Sequence, residues 1–168
     1  MQNKIIKPGK IIGIIGGGQL GKMMAQAAQK LGYKTHIFSD RADDPALKVT
    51  NQATNAAYDD FNAIDAFISQ VDVVTFEFEN IPLSFLKLVE EHSLLRPNAR
   101  AVEIAQNRLI EKNFLNKVAK TAGFKEVTSL AELSKAVAQF DNKAILKIAE
   151  NGYDGKGQYK IDQNSDLA

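Results

Sequence analysis

The chain has 168 residues, of which 45% are hydrophobic and 24% charged, an ordinary composition for a globular protein. Its 21 basic residues are spread along the chain and are nearly balanced by 20 acidic ones, so we expect no nucleic-acid partner. The lack of cysteines excludes disulfides and thiolate metal sites, and the two histidines are too far apart in sequence for a zinc site. No apolar run is long enough for a membrane span, and we expect a cytoplasmic protein.

The first forty residues predict a strand, a helix and a second strand. The β-branched run Ile11–Ile15 is typical of a strand that is buried on both faces of a parallel sheet. Apolar residues then recur at helical spacing from residue 20 to residue 31, and Gly32 is placed to end that helix. Residues 33–39 follow as the second strand, so that this segment is a βαβ unit.

The alternation of helices and strands continues to residue 97. Residues 49–57 are polar and rich in alanine, and their pattern assigns no element. The predicted elements are a helical turn from Pro45, a helix after Asp60, a strand at 71–76, a helix after Pro82 and a brief strand at 94–95. This order predicts an α/β fold, an open parallel sheet with helices on both faces.

The pattern changes after Pro97. Residues 98–122 predict nearly continuous helix, and the capping box that begins at Ser129 starts another helix. Two strands at 144–149 and 158–161 enclose a glycine loop, so we expect an α+β unit with a boundary near Arg100. Because Ser165 resembles a helix N-cap where the chain stops, we expect a longer natural protein and a truncated second domain.

A glycine motif, Gly16-x-Gly18-x-x-Gly21, lies between the first strand and the first helix. Backbone amides at such a turn and the positive end of the helix bind phosphate groups. Together with Asp40 at the end of the second strand, the motif has the context of a dinucleotide-binding fingerprint. A tight turn without any ligand is the alternative.

Two acidic residues and an amide follow the buried strand at 71–76. Glu77, Glu79 and Asn80 would lie at the carboxyl edge of the sheet, where open α/β sheets bind ligands. Carboxylates at that edge suit a ligand that bears amino groups. A solvated loop is the alternative.

Basic residues and a second glycine loop mark the last seventy residues. Lys147 lies in an otherwise apolar strand and requires an anionic partner or solvent, and the loop at 152–158 adds free amides and Lys156. Arg108 and Lys112 lie four residues apart on one helix face. Nucleotide phosphates would explain all of these, while a plain hairpin turn and a solvated helix face are the alternatives.

Four segments together resemble the N5-carboxyaminoimidazole ribonucleotide synthase family, in the biotin-carboxylase-like branch of the ATP-grasp superfamily. They occur in the family's order and cover nearly the whole chain. The segments are 14–23, 75–81, Gln106-Asn107-Arg108 with Glu111-Lys112, and 152–158. The resemblance implies a Rossmann-like, pre-ATP-grasp domain at 1–100 and the N-terminal portion of an ATP-grasp domain at 101–168.

The resemblance also implies roles for individual residues, although it assigns no catalytic residue in this chain. Those expected to bind ATP are Arg108, Lys112, Lys147, Gly152, Tyr153, Asp154, Gly155, Lys156, Gly157 and Gln158. Those expected to bind the ribonucleotide are Gly16, Gly17, Gly18, Gln19, Leu20, Glu77, Asn80, Tyr153 and Asp154.

The activity implied by the resemblance is a ligase reaction of de novo purine biosynthesis. ATP and bicarbonate form carboxyphosphate, which carboxylates the exocyclic amine of 5-aminoimidazole ribonucleotide. The resemblance further implies a homodimer and magnesium, whose carboxylate ligands are expected beyond residue 168. The chain by itself should therefore not complete catalysis.

The sequence departs from the family pattern in two places and leaves two other functions open. The family usually has Asp where Asn107 stands, and residues 148–151 lack the expected basic residue and an extra glycine. An NAD(P)-dependent dehydrogenase would account for the first glycine motif and Asp40, but not for Lys147 and the second loop. A non-catalytic nucleotide-binding module is the other alternative.

Overall fold

Residues 5–152 and 155–166 are described by a computed structural model. The chain divides into two units, Met1–Glu103 and Ile104–Ala168. The domain boundary expected near residue 100 stays a prediction.

The first unit contains a four-stranded parallel sheet in the order β3-β2-β1-β4, with β1 in the interior. β1 pairs with β2 on one side and with β4 on the other, so that Ile14 lies between Ile37 and Thr75. The elements are β1 (Ile11–Ile15), α1 (Gln19–Lys30), β2 (Lys34–Ser39), a 3-10 helix (Pro45–Lys48), β3 (Gln52–Asn55), α2 (Phe61–Ile68), β4 (Val73–Phe76) and α3 (Leu83–His92). Helix α4 (Ala99–Gln106) begins in this unit and ends three residues beyond it.

Apolar side chains are buried on both faces of this sheet, because successive residues of a strand point to opposite sides. Ile15, Phe38 and Phe67 belong to the larger cluster, which is closed by α2 and α3. On the other face Ile14 and Ile37 pack with residues of α1 and the 3-10 helix. The predicted α/β fold, with β1 buried on both faces, is therefore confirmed.

The sheet extends further than the sequence pattern indicated. Residues 49–57 were unassigned by that pattern, yet β3 lies among them and pairs with β2 in parallel. Its sequence, Gln-Ala-Thr-Asn, is polar and largely exposed, so an edge position and not strand propensity explains why it is extended. At the opposite edge, Leu95 makes a single parallel bridge to Val74, where the brief strand was predicted.

The second unit contains two helices and a hairpin. The helices are α5 (Arg108–Leu115) and α6 (Leu130–Gln139), and the strands are β5 (Ala144–Lys147) and β6 (Gln158–Ile161). The two strands are antiparallel, with Lys147 opposite Gln158. Several large apolar side chains are exposed on this unit, among them Phe114 at 45% and Ile145 at 58%.

The prediction of nearly continuous helix across 98–122 is wrong. Helix α4 ends at Gln106, and α5 begins after Asn107 and ends at Leu115. Asn107 has extended backbone angles, and its side-chain oxygen accepts hydrogen bonds from the amides of Leu109 and Ile110 at 3.0 and 3.1 Å. Asparagine is a preferred N-cap, so it starts a new helix here instead of continuing the old one.

None of the helices in the described part of the chain has the length and apolar character needed to cross a membrane.

Candidate functional sites

The first glycine loop lies at the carboxyl edge of the parallel sheet, as predicted. It leaves β1 through Gly16, whose amide donates to the carbonyl oxygen of Phe38 at 2.8 Å and whose φ angle is +101°. Helix α1 then begins after Gly18, which supplies no side-chain cap, and its first turn contains no acidic residue. The amides at this helix start therefore depend on a partner from elsewhere.

That partner is Glu77, which directly follows β4. One carboxylate oxygen accepts a hydrogen bond from the amide of Gly18 at 2.6 Å, and the other accepts a short one from the amide of Gly21. Because β1 and β4 are neighbouring parallel strands, the glycine motif after β1 and the acidic motif after β4 meet at one edge of the sheet. The carboxylate holds two of the amides that a dinucleotide's pyrophosphate would require.

Close packing within the protein accounts for the glycines of this loop. A Cβ atom at Gly16 would lie 2.5 Å from Cγ of Glu77, and one at Gly17 would lie 2.6 Å from Oδ2 of Asp44. A Cβ atom at Gly21 would overlap the carbonyl oxygen of Gly16. The loop is therefore enclosed by Glu77 and by the start of the 3-10 helix.

Three residues that sequence reasoning did not select as site residues lie at the same edge. The Ser39 hydroxyl donates a short hydrogen bond to Asp44. Burial raises the pKa of the Tyr58 phenol well above its usual range, with further contributions from the carboxylates of Asp40, Asp44 and Glu77. Tyr58 directly follows the polar segment 49–57 that had no assignable pattern, and no sequence signal indicated its position against Phe38.

The other predicted ribonucleotide-binding residues of this unit lie on the exposed side of the loop and strand. Gln19 and Leu20 open α1, and both are exposed, Leu20 at 57%. Asn80 is exposed four residues after β4.

In the second unit, a cleft of about 1180 Å³ is lined by α5, α6, the hairpin and residues 122–128. Three of the predicted ATP-binding residues line it, namely Arg108, Lys112 and Lys147. Six cationic residues and only three acidic ones contribute to the lining, which otherwise consists largely of apolar side chains. An apolar cleft with an excess of positive charge suits a base attached to phosphates.

Sequence reasoning missed several residues of this cleft. Phe124 and Phe140 supply aromatic surface, and Lys143 and Lys160 supply positive charge. Phe124 lies after the helix predicted over 98–122, in a segment for which no element was predicted, so its position against α5 could not be anticipated from periodicity.

Arg108 and Lys112 make different contacts although they share a helix face. The guanidinium of Arg108 donates to the carbonyl oxygen of Gly152 at 3.3 Å, at the start of the second glycine loop. Lys112 donates to the carbonyl oxygen of Ala122 at 3.1 Å, and its ammonium lies 5.5 Å from the centre of the Phe124 ring. Arg108 thus connects the cleft to the loop, whereas Lys112 holds the adjoining segment.

The second glycine loop is held at its two ends. The amide of Ile148 donates to the carbonyl oxygen of Gly157 at 2.9 Å, and the amide of Arg108 donates to that of Ala149 at 2.9 Å. The predicted site residues Tyr153 and Asp154 lie outside the described residues. The other predicted ATP-binding residues of the loop lie in sequence between two stretches that line the cleft, but they are not part of its described lining; they are Gly152, Gly155, Lys156, Gly157 and Gln158.

The two departures from the family pattern meet in space. The side-chain nitrogen Nδ2 of Asn107 donates to Oε1 of Glu150 at 2.8 Å, while the side-chain oxygen caps α5. An aspartate at position 107 could provide the cap but could not donate to Glu150. The pair therefore joins the start of α5 to the start of the glycine loop.

Among the described residues, no three histidine or acidic side chains gather where they could hold a metal ion. Magnesium, which the resemblance implies, therefore finds no such ligand set among the described residues.

A family model for the ribonucleotide synthetase preATP-grasp domain matches residues 9–106, more than half of the chain. The chain belongs to this family. A model for the ATP-grasp domain matches residues 112–168. These matches confirm the family resemblance drawn from the sequence motifs and the α/β fold class.

The similar proteins include N5-carboxyaminoimidazole ribonucleotide synthases. The one from Brucella melitensis is 44% identical over 96% of this chain and 45% of its own length. A Staphylococcus aureus synthetase solved with ADP is 41% identical, with a TM-score of 0.90 over 96% of this chain and 44% of that one. An Aspergillus clavatus synthase solved with ATP is 26% identical, with a TM-score of 0.81 over 91% of this chain and 41% of that one. The chain thus spans less than half the length of these relatives.

Proposed function

We propose that this chain carries the ribonucleotide-binding edge and the first ATP-binding elements of N5-carboxyaminoimidazole ribonucleotide synthase, an ATP-grasp carbon–nitrogen ligase. The proposed reaction is the ATP- and bicarbonate-dependent carboxylation of 5-aminoimidazole ribonucleotide, through carboxyphosphate, in de novo purine biosynthesis. The names of the relatives and their complexes with ADP and ATP support this proposal.

The observation that carries the proposal is the gathering of Arg108, Lys112 and Lys147 in one cleft. We assign Lys147 and Arg108 to the phosphates of ATP, because charged donors bind phosphate oxygens about twice as strongly as neutral donors do. The apolar lining provides a surface for the base. The loop at 152–158, which starts at the carbonyl oxygen that Arg108 contacts, is assigned to the phosphates as well.

The ribonucleotide is assigned to the carboxyl edge of the parallel sheet. Residues 16–20, Glu77 and Asn80 would hold it there. The family resemblance also assigns Tyr153 and Asp154 to the ribonucleotide. Exclusion of water from the site would protect the carboxyphosphate intermediate, because water would hydrolyse it. Magnesium is assigned to ligands outside this chain.

The dehydrogenase alternative is less compatible with the geometry. Its pyrophosphate would compete with the Glu77 carboxylate for the amides of Gly18 and Gly21. It also gives the cationic cleft no role.

Calorimetric titration of the chain with magnesium-ATP and with NAD tests the proposal. We expect saturable binding of ATP and none of NAD. Lys147→Ala should weaken ATP binding about tenfold or more, since a hydrogen bond to a charged group contributes roughly 1.5–3 kcal/mol.

Lys117→Ala provides the matched control, because Lys117 is exposed and is not among the residues that line the cleft. Saturable binding of NAD alone would support the dehydrogenase, and equal effects of the two substitutions would refute the role of Lys147. For the complete natural protein, phosphate release that requires both bicarbonate and 5-aminoimidazole ribonucleotide would distinguish the ligase from a nucleotide-binding module.

The expected homodimer and the cytoplasmic location stay predictions. Sedimentation of the complete natural protein would measure the first.

A further inference from the structure

An asparagine followed by a glycine opens the second glycine loop. Asn151 is exposed and has a φ angle of +59°, a left-handed conformation that residues other than glycine seldom adopt. The next residue, Gly152, has no Cβ atom that would shield its backbone nitrogen. Asn151 also belongs to the segment 148–151, in which the sequence lacks the extra glycine of the family pattern. A side-chain amide and an unshielded backbone nitrogen are therefore adjacent at this position.

The backbone nitrogen of Gly152 is available for reaction. Within the described part of the chain it donates to no acceptor, although the carbonyl oxygen of the same residue accepts a hydrogen bond from Arg108 at 3.3 Å. A backbone amide that is held in a hydrogen bond has to break that bond before its nitrogen can attack a neighbouring carbon atom. At Gly152 this cost does not arise, and the side chain of the preceding asparagine is within covalent reach.

Asn142 offers an internal comparison. It is exposed like Asn151, and its φ angle of +55° gives it a similar left-handed backbone. The residue that follows is Lys143, which carries a Cβ atom and whose amide donates to the carbonyl oxygen of Phe140 at 2.9 Å. Exposure and backbone conformation are thus shared by the two asparagines. The state of the following amide is what distinguishes them.

We infer that Asn151 is a site of spontaneous covalent modification, at which the side chain loses ammonia and the residue becomes aspartate or isoaspartate. The nitrogen of Gly152 attacks Cγ of Asn151, and a new carbon–nitrogen bond closes a succinimide ring. The bond from Cγ to the side-chain nitrogen breaks, and ammonia leaves with the proton that the Gly152 amide gives up. Water then opens the ring. Opening at Cγ gives aspartate, and opening at the main-chain carbonyl carbon gives isoaspartate.

The modification would add a negative charge to a segment that already contains one. Glu150 precedes Asn151, and the carbonyl oxygen of Gly152 is the one that Arg108 contacts. Isoaspartate would also insert a methylene group into the backbone beside that carbonyl group. Because the proposed function assigns this loop to the phosphates of ATP, the added carboxylate should weaken ATP binding about fivefold through repulsion between like charges. This consequence rests on the proposed function, whereas the modification rests on residues 151 and 152 alone.

Mass spectrometry of the complete natural protein, kept folded at mildly alkaline pH, tests the inference. Trypsin releases residues 148–156 as one peptide, in which Asn151 carries the only side-chain amide. This peptide should gain the mass that replacement of NH₂ by OH adds, and it should separate into an aspartate and an isoaspartate form. Asn142 should change at least about tenfold more slowly, because the Lys143 amide is shielded and hydrogen-bonded.

Asn151→Gly is the matched variant, because glycine adopts a left-handed backbone readily and has no amide group to lose. Its 148–156 peptide should keep its mass. A synthetic peptide of residues 148–156 gives the rate in the absence of the fold. The inference is overturned if the synthetic peptide changes while the folded protein does not, and equally if Asn151 and Asn142 change at the same rate.

The consequence for nucleotide binding is measured separately, by calorimetric titration of Asn151→Asp and Asn151→Gly with magnesium-ATP. The aspartate variant should bind ATP about fivefold more weakly than the glycine variant. Equal affinities would refute the assignment of the loop to the ATP phosphates, while the mass spectra would still establish the modification.

Discussion

The two glycine-rich loops of this chain, at 16–21 and 152–158, share their glycine content but have different surroundings. The loop at 16–21 is enclosed on both sides, by Glu77 and by Asp44, and its amides are bonded to a side chain of the protein. The loop that follows β5 is held at its ends, through Ile148 with Gly157 and through Arg108 with Ala149. Glycine spacing thus indicates where the backbone turns tightly, whereas the neighbouring elements decide what the amides bind.

The two units also differ in how deeply their aromatic side chains are buried. Phe67 in the first unit is fully buried between Phe38 and His36, with ring centres 5.4 and 4.9 Å away. Phe114 in the second unit is 45% exposed. The first unit should therefore tolerate truncation of its aromatic side chains much less than the second.

The largest effect is expected for Phe67→Ala. Removing a buried phenylalanine leaves a cavity, and the loss in unfolding free energy should be about 3–5 kcal/mol. Phe114→Ala should cost less than about 1 kcal/mol, as do most changes at exposed positions. Hydrogen exchange measured by mass spectrometry on peptides of β2 and of α5 would give the two values. Equal losses would mean that the second unit buries Phe114 in solution.

A smaller contrast is expected between glycines of the two loops. Gly21→Ala should destabilise the first unit by about 3 kcal/mol, because the added methyl group overlaps the Gly16 carbonyl oxygen and the backbone must move. Gly155→Ala should cost about 1 kcal/mol, since Gly155 has a φ of +79° but its added methyl group meets only the flexible end of Gln158.

Urea unfolding of the two variants, read separately for each unit by hydrogen exchange, would measure this difference. A Gly21→Ala protein of wild-type stability would show that the first loop is less tightly enclosed than described.

Asn107→Asp separates the two contacts of one side chain. Aspartate keeps the cap on α5 but places a carboxylate against Glu150. The free energy of local opening at the start of the loop should therefore fall by about 0.5–1.5 kcal/mol, while the helix remains formed. Exchange rates of the Ile148 amide and of the α5 amides would report the two effects separately.

Asn107→Asp combined with Glu150→Gln is the matched control, because the neutral amide removes the repulsion and can donate to the aspartate. It should restore slow exchange at the loop end. If the single variant already behaves like the wild type, the Asn107–Glu150 contact does not hold the loop.

The smallest effect is expected from pH, and it should appear in the first unit. His36 is 2% exposed, and burial lowers its pKa from the ordinary value of 6.5. The unfolded chain therefore takes up the proton first, so stability is full above about pH 6.5 and declines as the pH falls towards the folded pKa. Unfolding free energies measured across this range should show the decline.

His36→Asn should remove this part of the pH dependence, whereas His92→Asn should retain it, because His92 is exposed at the end of α3. The same slope in the His36 variant and the wild type would exclude His36 as its source.

Much of the first unit could be predicted because its elements are encoded locally. The β-branched run of β1, the Asp60 cap of α2 and Gly32 after α1 each act within a few residues, and each is found as predicted. The hydrogen bond from the Ala63 amide to the Asp60 carboxylate, at 3.1 Å, is one such local signal. The break at Asn107 was also encoded locally, by a preferred capping residue, but the surrounding helical pattern concealed it.

The candidate sites were only partly predictable. Glu77 and the glycine loop were each selected from sequence, as were Arg108, Lys112 and Lys147. The sequence did not indicate Tyr58 and Asp44 at the first site, or Phe124 and Lys143 in the cleft. These residues lie in segments without periodicity, and their positions depend on packing against other elements.

The sequence by itself determined the order of strands and helices, the residues of both glycine loops and the family to which the chain belongs. Only the tertiary structure decided that Glu77 occupies the amides of Gly18 and Gly21, that β3 is a strand and that Asn107 is bonded to Glu150. The physical reason is the distance along the chain. Caps and turns act over three or four residues, but Glu77 lies 59 residues from Gly18, and only the pairing of β1 with β4 brings them together.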